Sequence, residues 1–122
     1  MIHIEEFTHD RKNFIYIDIK RFMSIGEIIH AFEDVKQTIE KYAENSLYTI
    51  INIEYVMFDT KILEIAAKYM EYNKPYVKYG VVIGIDGIKK NLVNSILKKC
   101  NRNNIAFALT KEQAIEFLLQ QA

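Results

Sequence analysis

Residues 73–102, NKPYVKYGVVIGIDGIKKNLVNSILKKCNR, constrain the fold more than any other stretch. They hold the only proline of the chain. Pro75 fixes its own φ and biases Lys74 towards an extended backbone, so a helix should end just before it. Residues 77–85 are mostly apolar and rich in β-branched side chains. A nearly continuous apolar run bounded by turn residues suits a strand covered on both faces. Asp86 and Gly87 stop that strand, and Asp86 can cap a following helix by accepting backbone N–H bonds. In that helix Ile88, Leu92, Val93, Ile96, Leu97 and Cys100 fall on one stripe at helical spacing, with Lys89, Lys90, Lys98 and Lys99 off it. The unit is therefore β then α.

The same rhythm runs through the rest of the chain. Residues 2–7 alternate weakly, as an edge strand does, and the polar residues 8–13 turn the chain back as a hairpin. Residues 14–19 read as a strand with Ile15, Ile17 and Ile19 on one face and Phe14, Tyr16 and Asp18 on the other. Ser24 and Glu27 form a capping-box pattern, which predicts a helix from Ile25 to about Ala43. Residues 48–53 give the next strand. Asp59 then reads as an N-cap, with Ile62, Leu63, Ile65, Ala66, Tyr69 and Met70 forming the inner side of the following helix. A short strand over 104–108 and a closing helix after Thr110, with Gln113 completing a second capping box, finish the chain. Four strand-then-helix alternations predict an α/β fold with mostly parallel neighbours and an antiparallel N-terminal edge.

Composition narrows the chemistry. A chain of 122 residues fits one domain over 1–122. Its 16 basic and 16 acidic residues cancel, against a general nucleic-acid binder. One cysteine permits no internal disulfide and no paired-cysteine zinc site, and its place on a helix stripe makes Cys100 a core thiol. No apolar run approaches the ~20 residues of a membrane span, and no signal-peptide pattern is visible, so a cytoplasmic protein without stable membrane insertion is expected. His30 has no acidic or cysteine partner at metal spacing. The stretch GIDG lacks dinucleotide-binding spacing, and there is no P-loop.

The segments FDTKILEIAAKY, NKPYVKYGVVIGIDGIKKNLVNSILKKCNRN and ALTKEQAIEFLL resemble the STAS/SEC14-type proteins with the SpoIIAA-like fold. The shared features are Lys74-Pro75 before a main strand, the glycine turn from Gly84 to Lys90, and a final helix with Phe117 where tryptophan is common. The resemblance implies a SpoIIAA-like sheet of four to five strands with four helices, in a family of small, mostly uncharacterised bacterial proteins. It also implies a regulatory position. Anti-sigma-factor antagonists of this superfamily carry a phosphorylatable serine at the start of the second helix, and Asp59 and Thr60 fall at that turn. Lys61 and Ile62 depart from the pattern that follows it. A phosphate on Thr60 would meet a helix N-terminus that favours anions and an Asp59 carboxylate that repels them. Asp59 as a plain N-cap is the simpler reading.

A second candidate edge comes from the residues themselves. Asp86, Gly87, Lys89 and Lys90 stand at a helix N-terminus where backbone N–H groups and lysine charge could hold an anion, unless Asp86 already occupies those donors. Asp18, Glu54, Asp59 and Asp86 all lie at strand ends, where ligands of open α/β sheets bind. No Ser/His/Asp or Cys/His constellation is present to carry catalysis. Tyr69, Tyr72, Tyr76 and Tyr79, clustered around Pro75, are a candidate aromatic patch for a partner, Tyr79 being more suited to the core. The sequence thus points to a non-enzymatic protein-interaction or regulatory module, without cofactor or metal, with a protein partner or a second copy of itself. The alternative is a module binding a small apolar ligand or lipid in a pocket at the strand carboxyl ends.

Overall fold

The computed structural model describes residues 2–121. In chain order the elements are β1 (Ile2–His9), β2 (Lys12–Ile19), α1 (Ile25–Ile39), β3 (Leu47–Asn52), α2 (Thr60–Asn73), β4 (Val77–Ile83), α3 (Gly87–Lys99), β5 (Ile105–Phe107) and α4 (Lys111–Leu119). The five strands form one sheet in the order β1-β2-β3-β4-β5. β1 is antiparallel to β2, and every later neighbour is parallel.

Local chemistry explains the starts of the helices. Ser24, Asp59, Asp86 and Thr110 each accept a backbone N–H three residues on, from Glu27, Ile62, Lys89 and Gln113. At Ser24 the capping box is reciprocal. At Thr110 it is only half made, because the Gln113 side chain accepts from the Leu109 N–H instead.

The ends depart further from the sequence reading. The hairpin turn is only Asp10-Arg11, both with positive φ (50° and 65°), a mirror-image geometry that matches strand twist and lets residues 8 and 13 pair. α1 stops at Ile39 rather than near residue 43. Residues beyond it are drawn into other contacts: Tyr42 donates its hydroxyl to Glu6 at 2.7 Å. β4 stops at Ile83 because Gly84 turns left-handed (φ 73°), a conformation glycine adopts freely.

Alternation along the strands sends side chains to two faces. Ile15, Ile17, Ile19 and Val82 pack with Ile28, Val35, Ile39, Ile62, Val93 and Leu97 from α1, α2 and α3. On the other face, Phe14, Tyr16, Tyr48, Ile50, Val81 and Ile83 pack only with α4, through Ala114 and Leu118. Phe7, Phe14 and Tyr48 stack across β1, β2 and β3 with ring centroids 5.0 and 5.7 Å apart. Lys12 lies over Tyr48 and donates to the carbonyls of Leu118 and Leu119 at the C-terminus of α4, where a cation complements the helix dipole.

Candidate functional site

The carboxyl ends of the parallel strands feed four connections: 20–24 after β2, 53–59 after β3, 84–86 after β4 and 108–110 after β5. Two of them are locked together. The Asn52 side chain accepts the Glu54 N–H at 3.0 Å, which folds the chain after β3 back on itself. A Cβ on Gly84 would stand 2.1 Å from that Asn52 Oδ1 and 2.7 Å from the Glu54 nitrogen, so the approach of the two loops requires glycine as well as the turn does. Lys89 then reaches across from α3 and donates its Nζ to the carbonyls of Ile53 and Glu54 at 3.1 and 2.5 Å.

The residues singled out from the sequence take defined places on this edge. Asp59 Oδ1 accepts the Ile62 N–H at 2.9 Å, and Thr60, the first residue of α2, is exposed beside it. Asp86 Oδ1 accepts the Lys89 N–H at 2.9 Å, so the first donors of α3 are engaged by the chain's own carboxylate. Gly87 opens α3 with nothing within 4 Å of an added Cβ. Lys90 lies over the Phe107 ring at 5.4 Å. Asp86 and Lys89 border a shallow depression with Glu54, Gly84 and Leu109, while Lys90 points elsewhere. Among the described residues no group of three or more His, Cys, Asp or Glu side chains could hold a metal ion. No helix there is long and apolar enough to cross a membrane.

The tyrosines around Pro75 do not form one patch. Tyr69 is buried, stacked on Phe32 at 4.6 Å, and burial pushes its hydroxyl up to about 12. Tyr72 donates to Glu40 and leans on Tyr76, whereas Tyr79 faces α4 and meets Phe117. Strand alternation separates them: Tyr79 lies in β4 with its side chain on the α4 face, and the other three belong to the α1–α2 side.

What the edge does carry is apolar surface. The exposed large apolar side chains among the described residues are Phe22, Ile25, Ile29, Tyr55, Met57, Ile88 and Leu109. All but Ile29 sit on a connection after a parallel strand or in the first turn of the helix that follows, and Ile29 is one turn further along α1. Phe22 and Tyr55, from adjacent connections, meet edge to face at 5.2 Å. Met57, Ile88 and Leu109 are 68%, 76% and 81% exposed. The connections of the opposite edge, 10–11, 40–46, 74–76 and 100–104, include Tyr42 and Tyr76, but both are half-buried, and among the described residues none of these connections exposes a large apolar side chain. Beneath the rim, Ile53, Val56, Phe58 and Ile62 help line an apolar cavity of about 60 Å³.

The backbone arrangement has close counterparts. An RsbS from Moorella thermoacetica bearing a serine-to-glutamate substitution superposes with a TM-score of 0.65 over 95% of this chain and 94% of that one, at 13% identity. An anti-sigma-factor antagonist (STAS) domain protein from Planctomyces limnophilus superposes with a TM-score of 0.61 over 94% and 97%, at 8% identity. The chain has a STAS-like fold. No protein-family model matches the sequence, and neither does any curated protein. At these identities the likeness speaks of the fold, and the chemistry of the edge rests on this chain's own residues.

Within the STAS-like fold, the rim was the part that sequence patterning hid. Ile25 and Ile88 keep helical spacing with buried residues, yet the buried stripes begin later, at Ile28 and Val93. Phe22, Tyr55, Met57 and Leu109 lie between elements, where no periodicity marks them. The available signal was their recurrence: large apolar residues follow each of three parallel strands outside any helical spacing, in KRFMS, EYVMFD and ALT.

Proposed function

We propose that the chain is a single STAS-like module over residues 1–122, non-enzymatic and cytoplasmic, that works by docking a protein partner on the apolar rim. The observation that carries this reading is the asymmetry of the two edges: large apolar side chains are exposed at the strand carboxyl ends, and among the described residues none is exposed on the connections of the other edge. Apolar surface gathered in one place marks an interaction site more often than scattered exposure does. Acidic and basic residues balance overall, which suits a surface that recognises by shape and burial rather than by net field. The Planctomyces limnophilus neighbour is named as an anti-sigma-factor antagonist, which supports a regulatory role.

Asp59 and Thr60 are the regulatory turn in this proposal. Thr60 is exposed and next to the rim connection that carries Tyr55 and Met57, so a phosphate there would add charge to the docking surface. The Asp59 carboxylate already caps α2, so the phosphate would act by repelling the partner rather than by ordering the helix.

The test compares Met57→Asp and Leu109→Asp with Asn103→Asp on the opposite edge. Each tagged variant is mixed with lysate of the source organism, and bound proteins are quantified against wild type. At least one protein should be depleted about tenfold or more by both rim variants and be unaffected by the control, with thermal midpoints unchanged. Equal retention by all three variants would sink the reading.

A second reading has one observation in its favour, the apolar cavity of about 60 Å³ under the rim. It suits a small apolar ligand, whereas drug-sized ligands occupy roughly 300 Å³ or more. Native mass spectrometry before and after denaturation would reveal such a ligand as a stoichiometric extra mass.

A further inference from the structure

Arg102 is the most unusual charge in the molecule. It follows α3 in a polar break, yet only 8% of it is exposed. Its Nε donates to Asn104 Oδ1 at 3.0 Å, and its Nη1 donates to the Met70 carbonyl at 2.9 Å and to Asn73 Oδ1 at 2.7 Å. These acceptors are all neutral. Among the described residues no carboxylate pairs with this guanidinium. Its Nη2 is buried and, alone among buried side-chain polar atoms of the described residues, has no partner.

The same side chain lines a small cavity of about 20 Å³ between the sheet and the end of α2. Thr49, Tyr69 and Asn73 are the other polar residues that line it, and the remainder is aliphatic or methionine. Gly80 helps to keep Thr49 where it is, because a Cβ there would stand 2.8 Å from Thr49 Oγ1. The character of the wall decides what could enter. It is mostly aliphatic with one charged donor, so an oxyanion such as phosphate or sulfate would bury several oxygens without donors, whereas a single weakly hydrated atom would not. The Glu71 carboxylate acts on this charge only from beyond ion-pair distance; a bound anion would pair it directly, whereas a neutral water would satisfy the N–H group without adding an opposite charge.

We infer that the cavity beside Arg102 binds one monatomic anion of the chloride class, held by the guanidinium Nη2 and by the polar groups of Thr49, Tyr69 and Asn73. This site is separate from the rim and lies at the opposite, amino-terminal side of the parallel strands, where α2 ends and β5 begins. The anion would fasten that junction by pairing the charge that Asn73, Asn104 and Met70 position. Because it binds the folded chain only, chloride would raise the unfolding midpoint by mass action.

Crystals of the full chain grown in sodium chloride, measured at a wavelength where chlorine scatters anomalously, test this directly. A peak inside the cavity within about 3.5 Å of Arg102 Nη2 is expected. Ordered density there without anomalous signal means a water and overturns the proposal, as does chloride found only on the surface. A solution test runs in parallel, with thermal unfolding followed by circular dichroism in sodium chloride and in sodium gluconate at matched ionic strength. The wild-type midpoint should climb with the logarithm of chloride but not of gluconate. Thr49→Val, which keeps the guanidinium and the volume, should shift that dependence to higher chloride by about tenfold. Arg102→Met should abolish it. If Arg102→Met does not fold, the Thr49→Val shift and the anomalous peak decide the matter, and identical midpoints in the two salts would refute the site.

Discussion

Glu27 shows how much one residue of this chain can be asked to do. Its Oε2 accepts from Arg21 Nη2 at 2.5 Å, and its Oε1 accepts the Ser24 N–H at 2.9 Å. Arg21 first, and then the Ser24 N–H, hold its carboxyl down at about 2 from the ordinary 4.5. A carboxyl lowered in the folded state stabilises fully above its unfolded value, and that contribution is lost as pH falls through the folded one. The window therefore runs from about 4.5 down to about 2. Glu27→Gln should be less stable than wild type at neutral pH, and the two should converge as the pH is lowered through that window. Urea midpoints measured across it check this, and parallel curves would show that Glu27 is not held in this way. The Ser24–Glu27 spacing is visible in the sequence because it is local. Arg21, six residues away on a connection, has no such signature.

At the scale of elements, each helix start was legible, and so was the end of α2 before Pro75, whereas the end of α1 and the end of β4 were not. A cap needs only a polar side chain and the next three residues, so Ser24, Asp59, Asp86 and Thr110 could be read directly. Such ends depend on where the chain must go next, as with the left-handed Gly84 after β4 and Asn45 before β3. The site divides in the same way. The cap roles of Asp59 and Asp86 were readable, but not the apolar rim or the Arg102 cage, because both are made when distant connections converge. The layering adds a prediction of its own. Only α4 covers the second sheet face, with Leu118 fully buried against it. Three helices share the first face, so a defect there is spread, whereas a defect in α4 is not. Leu118→Ala should cost about 3 kcal/mol in urea unfolding, within the range for leucine truncation in a core. It should also increase binding of a hydrophobic dye well below the unfolding midpoint, as α4 loosens from Phe14 and Tyr48. A loss below about 1 kcal/mol would mean that α4 can repack over the gap.

The whole molecule combines zero formal net charge, a pI near 6.8 and one apolar rim. Net charge keeps copies apart, and its absence leaves short-range attraction unopposed. Self-association should therefore be greatest near pH 6.8 and should run through the rim rather than over the whole surface. Adding one negative charge separates these two contributions. If only net charge mattered, Leu109→Asp and Asn103→Asp would reduce association equally. If the rim is the contact, Leu109→Asp should reduce it several-fold more, because it also places a charge that would have to be desolvated in the contact. Static light scattering over a concentration series near pH 6.8 reads this as the second virial coefficient, more positive for Leu109→Asp than for Asn103→Asp. High salt sharpens the distinction: it screens the charge effect shared by both variants and strengthens apolar burial, so the gap between them should persist. Equal coefficients at both salt concentrations would assign the attraction to the surface at large and leave the rim without a role in it.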